Sequence, residues 1–217
     1  MTAEGIKDIL KTGGKEFGLS IGNNEADLFL KYLKELKDWN KKINLTAIKE
    51  DRDIVIRHFL DSLTLAPFLT GEETILDIGS GAGFPGIPLK IIIPSLRITL
   101  MDSVAKKVVF MRHIIWALGL KDIEAVQGRG EDIKTIKRFE ACFDIVTSRA
   151  FAELGRFLDI AMPYAKKGGI LLSLKGPKGP KEIEGLKRRD DLEYIQTKSV
   201  KLPFSDVITT ILSFKRL

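Results

Sequence analysis

Leu76-Asp77-Ile78-Gly79-Ser80-Gly81-Ala82-Gly83-Phe84-Pro85-Gly86 holds the densest group of residues suited to ligand chemistry in this 217-residue chain. Glycines directly after an apolar run let the backbone turn tightly, approach a ligand and offer it N–H groups at the start of a helix. Nineteen residues beyond Gly83, Asp102 ends a second apolar run, Ile98-Thr99-Leu100-Met101. A carboxylate there can accept both hydroxyls of a ribose. It can also cap a helix beginning at Ser103, and the two roles are compatible. Gly81, Gly83 and Gly86 satisfy G-x-G-x-x-G, so a nicotinamide or flavin dinucleotide is one candidate ligand. Against it, Asp77 stands at the strand end and Phe84-Pro85 would crowd a pyrophosphate. An acid beside the loop suits a cationic, amine-bearing ligand, a character that S-adenosylmethionine has.

Other reactive side chains are sparse. Cys142 is the only cysteine, so no internal disulfide forms, and it reads as a small core residue. It precedes the fourth strand and no Pro-Cys pair exists, which argues against a cysteine nucleophile. No Asn-Pro-Pro-Tyr or Asp-Pro-Pro-Tyr follows that strand, the pattern of amino-group methylation. His58 and His113 are 55 positions apart with no cysteine or paired acids near, so a metal site is not expected and neither histidine is given a catalytic role. The formal charge of +6 is concentrated late: between Lys166 and Arg189 eight bases face only Glu182 and Glu184. Such a run is either a solvated face or a polyanion contact.

Positioning these residues requires alternating elements. From Asn23 to Ile43, Leu28, Phe29, Tyr32, Leu33, Leu36, Trp39 and Ile43 recur at spacings of three and four, predicting an amphipathic helix capped by Asn23 or Asn24. Further helices are expected near 6–17 and 53–67. After Gly71 short Ile/Val-rich runs at 74–78, 97–101, 123–126, 143–147 and 169–174 alternate with helical stretches, the pattern of βαβ units and a parallel doubly wound sheet. Two final runs, 192–200 and 206–214, predict an antiparallel addition at one edge. The expected division is therefore an N-terminal helical region, 1–70, and an α/β domain, 71–217. Apolar content of 44% places the chain among globular proteins. The N-terminus lacks a secretory apolar segment and no run approaches the ~20 residues of a membrane span, so a cytoplasmic address is expected.

Several ordered segments go further. They are Asn44-Leu45-Thr46-Ala47-Ile48, His58-Phe59-Leu60-Asp61-Ser62-Leu63, the glycine loop continued through Ile87-Pro88, Leu100-Met101-Asp102-Ser103 with Lys106-Lys107, Thr147-Ser148-Arg149-Ala150-Phe151-Ala152, and Lys175-Gly176. Together, over nearly the whole length, the chain resembles the RsmG (GidB) family of bacterial 16S rRNA methyltransferases, which modify N7 of a guanine in small-subunit rRNA. The resemblance implies a Rossmann-like methyltransferase fold: a mostly parallel seven-stranded sheet with an antiparallel edge strand. It implies S-adenosylmethionine as cofactor and 16S rRNA or the small ribosomal subunit as partner, with no membrane and no metal. By the same resemblance Gly79 and Phe84 line the cofactor site beside Gly81 and Asp102, Gly130 and Glu131 meet the adenine end, and Arg149 faces cofactor and substrate. Gly130 stands where many relatives carry Ala or Val, and Met101 where Leu is usual.

Guanine N7 presents a lone pair and needs no deprotonation, so no catalytic general base is expected, Arg149 serving instead to orient substrate. Lys175, Lys178, Lys187 and Arg188 are the expected RNA phosphate contacts. Competing readings are a dinucleotide oxidoreductase, a small-molecule methyltransferase and a non-catalytic nucleic-acid-binding or cell-division module.

Overall fold

Apolar residues at helical spacing fold the first third into helices that pack on one face of the sheet. The computed structural model describes residues 1–150, 152–186 and 189–217. Lys187 and Arg188, two of the expected phosphate contacts, lie outside the described residues. Helix α1, Ala3–Glu16, is capped by Thr2, whose hydroxyl accepts the Gly5 N–H at 3.2 Å. Helix α2, Asn23–Ile43, starts after Gly22 with no side-chain cap, so neither Asn23 nor Asn24 plays the capping part. It buries Ala26, Phe29, Tyr32, Leu33 and Leu36. The third helical stretch is composite: α3, Asp51–Ile54, a π-helical segment, Val55–Leu60, and α4, Asp61–Leu63.

The strands are β1, Thr74–Ile78; β2, Arg97–Asp102; β3, Ile123–Gln127; β4, Phe143–Arg149; β5, Ala165–Lys175; β6, Leu192–Lys201; and β7, Ile208–Arg216. Between them run α5, Gly86–Ile92; α6, Ala105–Ala117; α7, Ile133–Phe139; α8, Leu154–Ala161; and α9, Gly179–Glu184. They form one seven-stranded sheet in the order β3-β2-β1-β4-β5-β7-β6. Strands β1 to β5 pair in parallel, and β7 is antiparallel to β5 on one side and to β6 on the other. The expected antiparallel strand is thus β7, with β6 returning along the rim. β1 is buried on both faces from Ile75 onward, the mark of a parallel strand covered on both sides.

On one face, α8 packs on Leu76, Ile78, Met101, Val146 and Leu171. On the other, Ile6 and Leu10 of α1, Phe29 and Tyr32 of α2, and Phe59 share a single core with Ile87, Ile98, Leu100, Ile145 and Leu172. The helical region 1–70 therefore buries its apolar face against the sheet layer. Glu35 of α2 reinforces this contact, lying 2.7 Å from His113 Nε2 on α6. The sequence expectation for Cys142 is corrected: it is exposed. Ala141, at φ 49°, turns the chain just before β4, and leaves Cys142 outside the core with its Sγ 3.3 Å from the Glu140 carbonyl.

Candidate active site

A cavity of about 590 Å³ opens at the C-terminal ends of β1, β2, β3 and β4, where open α/β sheets place their ligand crevice. Gly79, Asp102, Gly130, Glu131 and Arg149 all line it, as do Lys107, Arg129, Glu153 and Arg156. The chain brings them together because each βα turn empties onto the same edge.

Gly79 and Gly81 adopt φ of 72° and 62°, left-handed values that a side chain would strain. Gly83, also at positive φ (95°), and Gly86 are in addition closely packed. A Cβ on Gly83 would lie 2.3 Å from Ile87, and one on Gly86 2.3 Å from Leu100. Both glycines serve close packing of α5 against β2 and the loop; for Gly86 a dinucleotide motif would ask the same, but Gly83, where that motif brings the backbone to a pyrophosphate, does not line the cavity.

Asp102 is buried at the cavity floor. Its Oδ2 accepts the Gly81 N–H at 2.9 Å and its Oδ1 accepts the Val104 N–H at 2.9 Å. It therefore ties the glycine loop to the turn before α6. Each carboxylate oxygen retains a second lone pair, so two ribose hydroxyls can still be accepted. Gly130 sits where the wall is tightest: an added Cβ would meet Ile160 at 2.5 Å. Its carbonyl accepts the Tyr164 hydroxyl at 2.7 Å, and Glu131 meets Arg156 at 3.3 Å.

Three loop residues sit differently from the sequence expectation. Gly81 is not part of the cavity lining, its N–H being bound to Asp102. Phe84 lies behind the cavity, its ring stacked on His58 at 4.7 Å and on Tyr32 at 5.5 Å. Its edge of the site is reached through Arg149, whose guanidinium carbon is 4.9 Å from the Phe84 ring centre. Asp77 is wholly buried beneath the loop, with Oδ2 accepting the Gly86 N–H at 3.1 Å and Oδ1 without a partner among the described residues. Burial pushes its carboxyl up to about 8 against the opposing pull of the Gly86 N–H and Arg149. It braces the loop in its neutral form and does not face the cavity as a charge for a cationic ligand.

Tyr32 was not legible as a site residue. From α2 its hydroxyl donates to the Ala82 carbonyl, so the N-terminal layer holds the glycine loop directly. Burial holds this phenol well above its usual value. Arg149 donates to the Arg57 carbonyl at 3.0 Å, to Asp61 Oδ2 at 3.0 Å and to His58 Nδ1 at 3.1 Å. Asp61 in turn accepts the Thr209 hydroxyl of β7. The sequence showed His58 and Asp61 three apart on one helix; it could not show the π segment that carries Arg57 and His58 to Arg149, with Asp61 directly after it.

The basic segment is not one patch. Lys166 and Lys167 begin β5 and Lys175 ends it, so about 30 Å of strand separates them. Lys166 pairs with Asp144 at 2.7 Å, and Arg189 with Asp191 at 3.0 Å and with Asp159. Lys175 points inward, 2.9 Å from Glu182 and donating to the Ala152 carbonyl. Lys178 is exposed. No cluster of three or more His, Cys, Asp or Glu suited to a metal ion occurs among the described residues, and none of their helices is long and apolar enough to cross a membrane.

The sequence profile of the family described as rRNA small subunit methyltransferase G matches residues 25–206. Ribosomal RNA small subunit methyltransferase G of Thermoanaerobacter sp. (strain X514) is 39% identical over 217 residues, covering 97% of this chain and 90% of that protein. The protein of the same name from Geotalea uraniireducens (strain Rf4) is 45% identical over 190 residues, covering 87% and 86%. Among solved structures, a methyltransferase from Geobacter sulfurreducens superposes with a TM-score of 0.58 at 17% identity, covering 86% of this chain and 90% of that one. M. jannaschii TYW2 in complex with AdoMet gives 0.56 at 14% identity, covering 72% and 75%. The structural matches establish the fold; the sequence matches carry more.

Proposed function

From the premise that the chain belongs to the family of rRNA small subunit methyltransferases G, we propose that it methylates N7 of a guanine in 16S rRNA, using S-adenosylmethionine. The observation that supports the acceptor atom is the composition of the cavity wall. Among its described lining residues there is no His, Cys or Tyr, and of its acids Asp102 is held by two backbone N–H groups, Glu131 is paired with Arg156 and Glu153 is exposed. An acceptor with a free lone pair needs no proton removed, so a wall whose buried acid is already committed to N–H groups suits N7.

The residues present fit the cofactor. Asp102 would hold the ribose hydroxyls on its remaining lone pairs, the left-handed turn at Gly79 admits a ligand close to the backbone, and Gly130 with Glu131 would bound the adenine. When bound, S-adenosylmethionine supplies an electrophilic methyl group on a sulfonium. The chain's own part is alignment and control of charge: Arg149 orients the guanine through its planar donors, and Asp102 on the buried floor of the cavity fixes the cofactor's ribose. A target guanine must leave its stack to enter such a cavity, so an exposed or locally opened nucleotide of the small subunit is the substrate. Exposed Lys178, together with Lys187 and Arg188, would contact neighbouring phosphates. Mapping 7-methylguanosine in rRNA from cells with and without the gene tests the assignment: one position of 16S rRNA should lose its methyl group in the deletion, and an unchanged map rejects the reading. Thermal stabilisation of the purified protein by S-adenosylmethionine and not by NAD(H) is expected alongside.

A further inference from the structure

We propose that His58 is a positioning residue for this reaction, acting as an uncharged hydrogen-bond acceptor that fixes the plane of the Arg149 guanidinium at the cavity wall; this rests on the reading of Arg149 as the residue that orients substrate. Arg149 ends β4 immediately before Ala150, whose φ of 51° turns the chain away. The direction of its long side chain is thus set by partners and not by a continuing strand. Arginine has five N–H donors and no acceptor. Two of them, on Nη1, go to the Arg57 carbonyl and Asp61 Oδ2, and one on Nη2 goes to His58 Nδ1. Both Nη1 hydrogens lie in the guanidinium plane, so Asp61 and the carbonyl set its direction from one nitrogen. The bond to His58 anchors the second nitrogen, and so stiffens the plane against tilting about the first. Among the described residues the Nε–H and the remaining Nη2–H have no partner, and Arg149 lines the cavity.

The chemistry of the ring follows from that contact. A nitrogen facing an obligate donor must carry its lone pair, so Nδ1 is unprotonated and the proton sits on Nε2. There it is donated to Thr46 Oγ1 at 2.7 Å, an oxygen that also accepts the Ile48 N–H at 3.1 Å. The ring lies flat on Phe84, 18° from parallel, so ring and guanidinium share that aromatic surface side by side. An imidazolium would turn an N–H toward the guanidinium and break the clamp. Burial, with the Arg149 and Arg57 charges adding to it and the Arg57 carbonyl opposing, pushes the ring down to about 3, in the same sense as the contact geometry.

The test is a double-mutant cycle. Methyl transfer from labelled S-adenosylmethionine to small ribosomal subunits of a strain lacking the enzyme is measured for the native protein, His58→Phe, His58→Asn, Arg149→Ala and the double variant His58→Phe/Arg149→Ala. His58→Phe keeps an aromatic ring on Phe84 and removes the acceptor; His58→Asn returns an acceptor near the Nδ1 position. His58→Phe should lower kcat about tenfold or more, the coupling expected of side chains in contact, with cofactor affinity nearly unchanged. His58→Asn should recover part of the loss, and His58→Phe should cost nothing further in the Arg149→Ala background. Equal losses in both backgrounds, or native activity in His58→Phe, overturn the role of His58. Native activity in Arg149→Ala instead overturns the reading of Arg149, and that single variant reveals it. If His58→Phe does not fold, His58→Ala enters the same cycle under the same criterion.

Discussion

Asp102 shows how one side chain can hold structure and still be open to a ligand. Its two oxygens already hold the Gly81 and Val104 N–H groups, so the proposed ribose site is preformed, and a ligand would find the carboxylate fixed in direction. Asp102→Asn keeps one acceptor and turns an amide toward the other N–H. The amide also offers the ribose hydroxyls one acceptor fewer and no charge; losing a hydrogen bond to a charged acceptor costs about 1.5–3 kcal/mol, so affinity for S-adenosylmethionine measured by calorimetry should fall about tenfold or more. Tyr32 offers the complementary case, a residue that touches the loop and no ligand. Tyr32→Phe keeps the ring on Phe84 and Phe59 but removes the donor to the buried Ala82 carbonyl. We expect a loss of about 1–2 kcal/mol in urea unfolding and a weaker cofactor Kd. Native-like values for both would separate α2 from the loop.

At the scale of elements, β1, β2 and the loop between β1 and α5 were readable because a parallel strand buried on both faces and a glycine turn leave local signals. Asp102 was read that way, whereas Gly79 was singled out within the loop only by the family resemblance. The network on Arg149 was not, because it joins the π segment at 55–60, β4 and β7, and no local pattern announces a meeting of residues 148 positions apart such as Asp61 and Thr209. The charged segment misled for a related reason: sequence proximity of lysines says nothing of the ion pairs that absorb them. Lys175 and Lys178 make this testable. Lys175 holds Glu182, whose carboxylate also accepts the Leu154 N–H at 2.6 Å, joining β5, α9 and the start of α8. Lys175→Ala should cost about 2–3 kcal/mol of stability, since it strands a partly buried carboxylate. Lys178→Ala should leave stability within about 0.5 kcal/mol and reduce the salt dependence of RNA binding by roughly one phosphate contact. The reverse pairing of effects would exchange their roles. Gly130 makes the same point about close packing: Gly130→Ala presses on Cγ2 of Ile160 and should destabilise by about 1–3 kcal/mol, a loss that shrinks in an Ile160→Ala background, where that carbon is gone.

Over the whole molecule, two buried groups beside Arg149 oppose each other in their response to pH. The His58 ring, ordinarily near 6.5, is held at about 3 in the folded chain. Between those values the unfolded chain holds a proton that the folded chain does not, so stability rises with pH. Asp77 behaves in the opposite sense: ordinarily near 3.8, it is held at about 8. Across that window the folded chain keeps a proton the unfolded chain has lost, and stability falls as pH rises. The two slopes overlap and offset one another between about 4 and 6.5, and above 6.5 only the fall due to Asp77 remains, ending near 8. Asp144, held at about 2 by Lys166 and Thr74 despite burial, adds its rise only below 3.8. Urea unfolding at constant ionic strength should therefore show a plateau between about pH 4 and 6.5 and a decline from 6.5 to 8. Asp77→Asn should flatten the decline, and His58→Phe should start it near pH 4, because the opposing rise is gone. An undiminished decline in Asp77→Asn would assign the slope to other groups and leave the carboxyl beneath the loop ionised, as a buried counter-charge to Arg149 in place of a neutral brace.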